Sequence, residues 1–239
     1  MHIMKTSLRD EGKEVMPNMQ RRNFLKYLGM GATFVTAATV AASCHKDDNN
    51  NPSGGNGVSL GTGDVAVLNY AYALEQLEAA FYTQVVNSPY AGMTSTELDF
   101  FQNIRDHEIG HREFFKAALS TSAIAGLEVN FSSIDFSKRD SVLGTAKAFE
   151  DLGVSAYNGA AQYISKTATG LVYLGLAGKI VSVEARHAAY IRDLITPGSF
   201  ADTDVIDANG LDKVRTPAEV FAIAGTYIKT KIDTNTLPK

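Results

Sequence analysis

Cysteine is almost absent from this chain of 239 residues, which contains only Cys44. One cysteine cannot form an internal disulfide, and it cannot by itself build a thiolate metal site. Positive charge is also scarce after residue 44, where 16 Lys and Arg accompany 23 Asp and Glu. Such an acidic body argues against a nucleic-acid partner. A chain of this length needs no disulfide staples, because it can bury a substantial core.

The N-terminal part contains an apolar run that is marginal in length for a membrane span. Residues 27–43 carry no charge, but these 17 residues fall short of the about 20 that a spanning helix needs. Arg21 and Arg22 precede this run, so the segment resembles a twin-arginine export signal, with Gln20 where Ser or Thr is usual. A short membrane anchor is the alternative interpretation.

The small residues before Cys44 predict where the mature protein begins. Ala41, Ala42 and Ser43 resemble a bacterial lipoprotein cleavage box, although Leu or Val is more common at the position of Ala41. Cys44 then becomes a lipidated N-terminus. We therefore expect residues 1–44 to be an export signal, and the protein to lie in the periplasm or to be anchored to an envelope membrane.

A linker and one folded domain follow this signal. Residues 45–63 are rich in Gly and Asn and show no apolar periodicity, which predicts a flexible linker. Over residues 64–239, apolar residues recur at the spacings of three and four that are typical of amphipathic helices. Thr94 and Glu97 fit a capping box at the start of the second helix, and Pro217 marks the start of a short fifth helix.

The helical pattern predicts four long helices and a topology. The first predicted helix begins at Asp64, and the second runs from Thr94 to about Leu119. The third covers about residues 140–166, the fourth covers about 171–195, and the short fifth helix follows Thr216. Short links within each pair of long helices predict two antiparallel hairpins. The long segment 120–139 between the pairs can cross the bundle from end to end.

The two predicted hairpins repeat one sequence pattern. "ALEQLEAAFY" at residues 73–82 corresponds to "AFEDLGVSAY" at 148–157, and "HEIGH" at 107–111 corresponds to "VEARH" at 183–187. Each hairpin thus supplies one Glu from its first helix and one Glu-x-x-His pair, whose members share a face, from its second. These residues are Glu75, Glu108 and His111 in the first hairpin, and Glu150, Glu184 and His187 in the second.

Four carboxylates that converge in a bundle core predict a metal site. Desolvated carboxylates repel one another, whereas two divalent cations cancel their charge. A single Glu-x-x-His is usually a solvated surface pair, so it is the repetition that favours metal binding. Oxygen donors with one imidazole per metal suit iron or manganese. We predict two transition-metal ions as cofactors, with iron first and manganese as the alternative.

With these motifs the chain resembles the ferritin-like superfamily, and more narrowly the exported ferritin-like domain family that includes plant desiccation-related proteins. The resemblance covers about residues 64–195. It implies an all-α fold, a ferritin-like four-helix bundle with one long crossover and a short C-terminal helix. It also implies that the six residues are metal ligands, with Glu108 and Glu184 bridging and His111 and His187 as terminal nitrogen ligands.

The resemblance also draws attention to two tyrosines. Tyr82 and Tyr157 each lie seven residues after the glutamate of their helix, where several ferritin-like proteins carry a tyrosine near the metals. We take both as candidate catalytic residues. The alternative is a core tyrosine with a satisfied hydroxyl group.

The two hairpins differ at two positions near the ligands. Glu78 lies one turn after Glu75, but Gly153 occupies the corresponding place in the second hairpin. His107 precedes the first Glu-x-x-His, where the second hairpin has Val183. Glu78 is therefore a candidate seventh ligand, which would make the two metal sites unequal. The alternative is that Glu78 leans to the bundle edge and that His107 packs as a core residue.

The predicted site supports two classes of function. The first is a di-metal oxidoreductase, ferroxidase-like or catalase-like, whose partners are Fe(II), dioxygen or peroxide. The second is a non-catalytic iron-binding or stress-protective envelope lipoprotein with a structural or vestigial metal site. The metal, the physiological reductant and the oligomeric state, including a homo-oligomer, stay open at this point.

Overall fold

The computed structural model describes residues 57–239, so the predicted export signal and the first part of the predicted linker lie outside the described residues. Five α-helices occur in the described range. They are α1 (Gly63–Asn87), α2 (Ser95–Leu119), α3 (Arg139–Ala160), α4 (Ala168–Ile195) and the short α5 (Pro217–Ala224). Among these residues, β-structure is limited to three isolated bridges. The predicted all-α fold with four long helices and a short C-terminal helix is confirmed.

Local side chains explain where α2 and α5 begin. The Thr94 hydroxyl accepts a hydrogen bond from the Glu97 N–H, and the Glu97 carboxylate accepts one from the Thr94 N–H. This is the predicted capping box. Thr216 and Glu219 form the same reciprocal pair before α5, with Pro217 in the first helical turn.

The link between α3 and α4 differs from its predicted boundaries. α3 ends at Ala160 and a 3₁₀ turn follows, whereas the apolar pattern predicts helix to about residue 166. The Asp64 carboxylate at the start of α1 accepts hydrogen bonds from the N–H and the hydroxyl of Ser165, each at 2.7 Å. The Thr167 hydroxyl then caps α4 by accepting from the Gly170 N–H. These polar side chains therefore stabilise the link between α3 and α4, part of which the apolar pattern assigns to helix.

The long helices pack as two antiparallel hairpins, α1 with α2 and α3 with α4, and α1 faces α3 between them. The crossover between α2 and α3 is held by buried polar side chains of α1. Asn69 accepts from the Ile124 N–H at 3.0 Å and donates to the Ser122 carbonyl at 2.9 Å. The Gln76 side chain accepts from the Leu127 N–H at 2.8 Å. These two residues therefore fix an irregular backbone that cannot satisfy its own hydrogen bonds.

The described end of the predicted linker packs against the C-terminal segment. Val58 forms a parallel bridge with Ile232. Leu60 is completely buried, and its N–H donates to the Thr236 hydroxyl at 2.9 Å. The folded part therefore includes residues 57–62, which their composition assigns to the linker. The buried Leu60 side chain and the backbone hydrogen bonds of Val58 to Lys231 and Asp233 together hold a segment whose composition is typical of a flexible tether.

α4 is the long helix with the least protein cover. By length and composition alone it is apolar enough to cross a membrane. Its second half, however, buries Glu184 and His187 inside the bundle. Its first half exposes large apolar side chains, including Leu171 at 56% and Val172 at 59%. The first half of α4 therefore has little other protein packed against it and separates the bundle interior from the surroundings.

Gly159 and Gly144 lie on the same helix, α3, in opposite surroundings. A Cβ at position 159 would lie 1.8 Å from the Arg215 carbonyl oxygen, whereas a Cβ at position 144 meets no atom within 4 Å. We expect Gly159→Ala to lower the free energy of unfolding by about 1–3 kcal/mol through overpacking. Gly144→Ala should raise it by about 0.5–1 kcal/mol, because alanine favours helix. Urea denaturation measures both, and a Gly159→Ala protein as stable as wild type would contradict the close approach.

Candidate metal centre

Six side chains from four helices meet inside the bundle. α1 supplies Glu75, α2 supplies Glu108 and His111, α3 supplies Glu150, and α4 supplies Glu184 and His187. The four carboxylates and His187 are buried, and the His111 side chain is 15% exposed. The structure thus brings together all six residues that the repeated sequence pattern singles out.

The ligand atoms form two groups, each of which could hold a metal ion. The first contains Glu75, Glu108, His111 and Glu184, and the second contains Glu108, Glu150, Glu184 and His187. In each group, one nitrogen or oxygen atom per residue lies within 4.8 Å of all the others. Glu108 and Glu184 belong to both groups. They therefore occupy the place that the family resemblance implies for bridging carboxylates.

Each histidine directs its Nδ1 atom at several carboxylates. His111 Nδ1 lies 2.8 Å from Glu184 Oε1, 3.4 Å from Glu108 Oε2 and 3.5 Å from Glu75 Oε2. His187 repeats this pattern in the second group, with its shortest distance, 2.9 Å, to Glu108 Oε1. One ring nitrogen carries at most one proton and cannot donate to three carboxylates. A cation within each group satisfies all of them together.

Buried polar atoms that have ion-pair contacts at most, and no well-oriented hydrogen bond, are concentrated in this cluster. Nine such side-chain atoms occur among the described residues, and six belong to cluster residues. The six are Glu75 Oε2, both Glu108 carboxylate oxygens, His111 Nδ1, Glu150 Oε2 and Glu184 Oε1. Buried polar groups are normally satisfied. Because these oxygen and nitrogen atoms are the ligands that iron and manganese take, the residues fit a pair of such ions.

The crowded carboxylates do not ionise alike. Burial, reinforced by the charge of Glu184, raises the pKa of Glu108 well above its ordinary value. Burial also raises the pKa of Glu150. For Glu184 burial acts in the same direction, but the hydrogen bonds of His111 and His187 outweigh it and lower the pKa. Without metal, Glu184 therefore keeps its charge more readily than Glu108 and Glu150 do.

The carboxylates reverse the effect of burial on the two histidines. Burial alone would lower the pKa of His187, but the charge of Glu150 and hydrogen bonds to the surrounding carboxylates raise it to about 12. The pKa of His111 is also raised despite burial, chiefly by the charge of Glu75. Both imidazoles are thus cationic in the metal-free cluster at neutral pH. Metal binding must displace their protons.

Tyr82 and Tyr157 contact the cluster through glutamates of the opposite hairpin. The Tyr82 hydroxyl donates to Glu150 Oε1 at 2.5 Å, and the Tyr157 hydroxyl donates to Glu75 Oε1. Burial and the neighbouring carboxylates raise the pKa of both hydroxyls well above the ordinary value. Each tyrosine therefore keeps its proton and orients one carboxylate. Both predicted catalytic candidates lie one hydrogen bond away from the ligand groups.

Glu78 is buried but contributes no atom to either ligand group. Its carboxylate lies beside Gly153, where an added Cβ would be 3.2 Å from Glu78 Oε1. Burial and the charge of Glu108 raise the pKa of Glu78 well above its ordinary value. Sequence analysis made Glu78 a candidate seventh ligand, whereas the structure places it one turn along α1, against α3. The glycine of the second hairpin provides the space that this carboxyl group fills.

His107 supports the cluster in a way that sequence analysis missed. Its Nδ1 atom lies 2.9 Å from His187 Nε2, and the two rings meet edge to edge and nearly in one plane, with centroids 5.2 Å apart and planes inclined by 6°. When His187 Nε2–H donates to His107, the Nδ1 lone pair of His187 faces the carboxylates as a ligand must. The available signal was the position of His107 directly before Glu108. Sequence analysis left a packed histidine as the alternative there.

The metal-free protein should lose stability as the pH rises. His187 has a folded-state pKa of about 12 against an ordinary value of 6.5. A group with a raised pKa stabilises fully below its unfolded pKa, and this stabilisation is lost as the pH rises towards the folded pKa. The raised pKa of Glu108 acts in the same direction. Urea unfolding in chelator should therefore give a lower free energy at about pH 8.5 than at about pH 6.

His187→Gln is the control for this pH dependence, because glutamine has no proton to lose over the interval. We expect the variant to show a smaller difference between the two pH values than wild type. A metal-free wild-type protein that gains stability between them would contradict the cationic state assigned to the histidines.

The fold and the cluster agree with a comparison to known protein families. The family model for the ferritin-like domain matches residues 63–197, which is more than half of the chain. The matched range contains α1 to α4 with all six cluster residues. A search of curated proteins found no match to the chain. By its four-helix fold and by this match, the chain belongs to the ferritin-like domain family.

Proposed function

We propose that this protein is an exported ferritin-like protein that binds two transition-metal ions and carries out redox chemistry on Fe(II), dioxygen or peroxide. The observation that carries the proposal is the pair of buried ligand groups that share Glu108 and Glu184. Iron is the first candidate metal. Manganese is the alternative, because it accepts the same set of carboxylates and imidazoles.

Charge balance supports two ions rather than one. The four carboxylates carry four negative charges when ionised, and two imidazolium groups compensate only half of them. Two divalent cations compensate all four and leave both histidine Nδ1 atoms as neutral ligands. Without metal the cluster avoids uncompensated charge only by keeping protons on its histidines and on carboxyls such as Glu108, and two divalent ions can replace those protons.

The residues around the cluster have separate tasks in this proposal. When bound, a pair of iron ions supplies two electrons, one from each Fe(II), which with two protons convert dioxygen to hydrogen peroxide. Tyr82 and Tyr157 orient one carboxylate each through their hydroxyl groups. His107 holds the ring of His187. Glu78 keeps a buried proton beside the cluster.

In a second candidate function, the protein is a non-catalytic iron-binding or stress-protective envelope protein, and its cluster is structural or vestigial. The ion pairs between His187 and three carboxylates favour it, because they partly neutralise the cluster without metal. Consumption of dioxygen or peroxide by metal-loaded protein separates the two functions. Catalysis requires repeated turnover, whereas a storage or structural site reacts at most once per bound ion pair.

Metal content tests the cluster directly. Wild-type protein loaded with Fe(II) without oxygen and then desalted should retain about two ions per chain by elemental analysis. Glu108→Gln removes a carboxylate shared by both groups and should lower the content well below one ion. Its metal-free form should stay as stable as wild type, because burial already favours the uncharged carboxyl.

Glu113→Gln is the matched control for this experiment. It is the same change on the same helix, at an exposed glutamate that pairs with Arg112 outside the cluster. Its metal content should equal that of wild type. A metal content no higher than background in loaded wild-type protein would contradict the di-metal proposal and leave only the ion-paired cluster.

We also propose that residues 1–44 direct export and that Cys44 carries the membrane anchor, which rests on the sequence pattern alone. Cell fractionation should find wild type in an envelope membrane, because a multiply acylated end anchors firmly. Cys44→Ser should shift the protein away from that membrane, and replacing Arg21 and Arg22 by lysine should retain it in the cytoplasm. Equal amounts of wild type and Cys44→Ser in the cytoplasm would contradict this localisation.

A further inference from the structure

An apolar cavity of about 30 Å³ lies between the four long helices, on the side of the cluster towards the start of α1. Its inner wall is buried, and its outer wall is half-buried at the thinly covered first half of α4. The inner wall includes Leu74, Phe115 and Tyr157, and the outer wall includes Ile164, Tyr173 and Ala177. The cavity therefore extends from near the protein surface into the bundle core.

The inner wall adjoins the first ligand group. Leu74 directly precedes Glu75 on α1, and Phe115 lies one turn after His111 on α2. The ring of Tyr157 lines the cavity while its hydroxyl donates to Glu75. The cavity thus ends against residues that position or neighbour Glu75 and His111.

The volume of the cavity fits a diatomic molecule. A single water occupies roughly 10–15 Å³ in this measure, so a cavity of this size holds about two adjacent water-sized spheres. Dioxygen, with two bonded atoms, is no longer than two such spheres.

The chemistry of the wall excludes polar occupants. A buried water needs about two to four polar partners. The wall consists of aliphatic side chains and aromatic rings, and the one unpartnered hydroxyl among its residues belongs to Tyr70. Hydrogen peroxide and Fe(II) would lose their hydration here without replacement, which is costly. Dioxygen is apolar and gives up no hydrogen bonds.

We propose that this cavity binds dioxygen and delivers it to the metal cluster from the side of Glu75 and His111. The protein then provides a site for dioxygen, rather than for peroxide, as the oxidant. Delivery rests on the proposed di-metal function, whereas binding of dioxygen by the cavity does not and is measurable without metal.

Paramagnetic relaxation by dissolved dioxygen tests the binding step in the purified full-length chain. Methyl protons of Leu68 and Leu74, which line the cavity, should relax severalfold faster under dioxygen than under nitrogen. Leu143 and Ile191 are the comparison, because they are at least as deeply buried but do not line the cavity. An equal enhancement at all four residues would overturn the proposal.

Ala177→Phe tests the delivery step. Ala177 is half-buried on α4, so a phenylalanine there fills the outer part of the cavity while α4 has room to adjust. The change should abolish the excess relaxation at Leu74 and slow dioxygen-driven oxidation of bound Fe(II) severalfold. Oxidation by added peroxide and the metal content should not change. Equal slowing with both oxidants would overturn delivery through the cavity.

Ala189→Phe is the matched control, because it places the same ring at another half-buried alanine of α4. Ala189 lines a separate surface pocket of about 320 Å³ that can hold the ring. This variant should behave as wild type in both measurements. If wild type shows the expected excess relaxation but binds no metal, only the di-metal function is contradicted. If it binds metal as proposed but shows no excess relaxation, only the cavity proposal is contradicted.

Discussion

The burial of four carboxylates at the centre of the bundle is the constraint on which the rest of the structure depends. Each long helix must turn its glutamate towards one region, which fixes the rotation of all four helices about their axes. The hydrogen bonds from Tyr82 to Glu150 and from Tyr157 to Glu75 then join the two hairpins reciprocally. Because buried charge without compensation costs several kcal/mol, the same arrangement that defines the fold needs its charge balanced, either by protons on the histidines and carboxyls or by bound cations.

Departures from the internal repeat make the two ligand groups unequal. In the second group, the His107 ring nitrogen contacts that of His187 at 2.9 Å, whereas the second hairpin places Val183 where a matching support for His111 would stand. The His187 side chain is 5% exposed and the His111 side chain 15%. The apolar cavity adjoins the more exposed group. One half of the cluster thus has a histidine contact behind its ligand, while the other half borders the apolar cavity.

The six cluster residues were predictable because a helical period and a repeated charge pattern both act locally. The ends of the folded part were not predictable in this way. Leu60 is anchored by a residue 176 positions away, and the crossover depends on Asn69, more than 50 positions before it. Glu78 shows a further limit of helical spacing. The spacing of three residues from Glu75 predicts the helix face of Glu78, but it does not predict that the side chain packs against α3, where Gly153 leaves space for it.

The charge state of the cluster connects metal binding to the proposed route of export. The metal-free cluster holds protons on His111 and His187, and six of its buried polar atoms have ion-pair contacts at most, with no well-oriented hydrogen bond. Metal binding releases those protons and satisfies the orphaned atoms, so its free energy adds to the stability of the folded state. A twin-arginine signal, as proposed for residues 1–44, carries proteins that have already folded. We infer that the order of events on this route is folding with metal loading inside the cell, followed by transport.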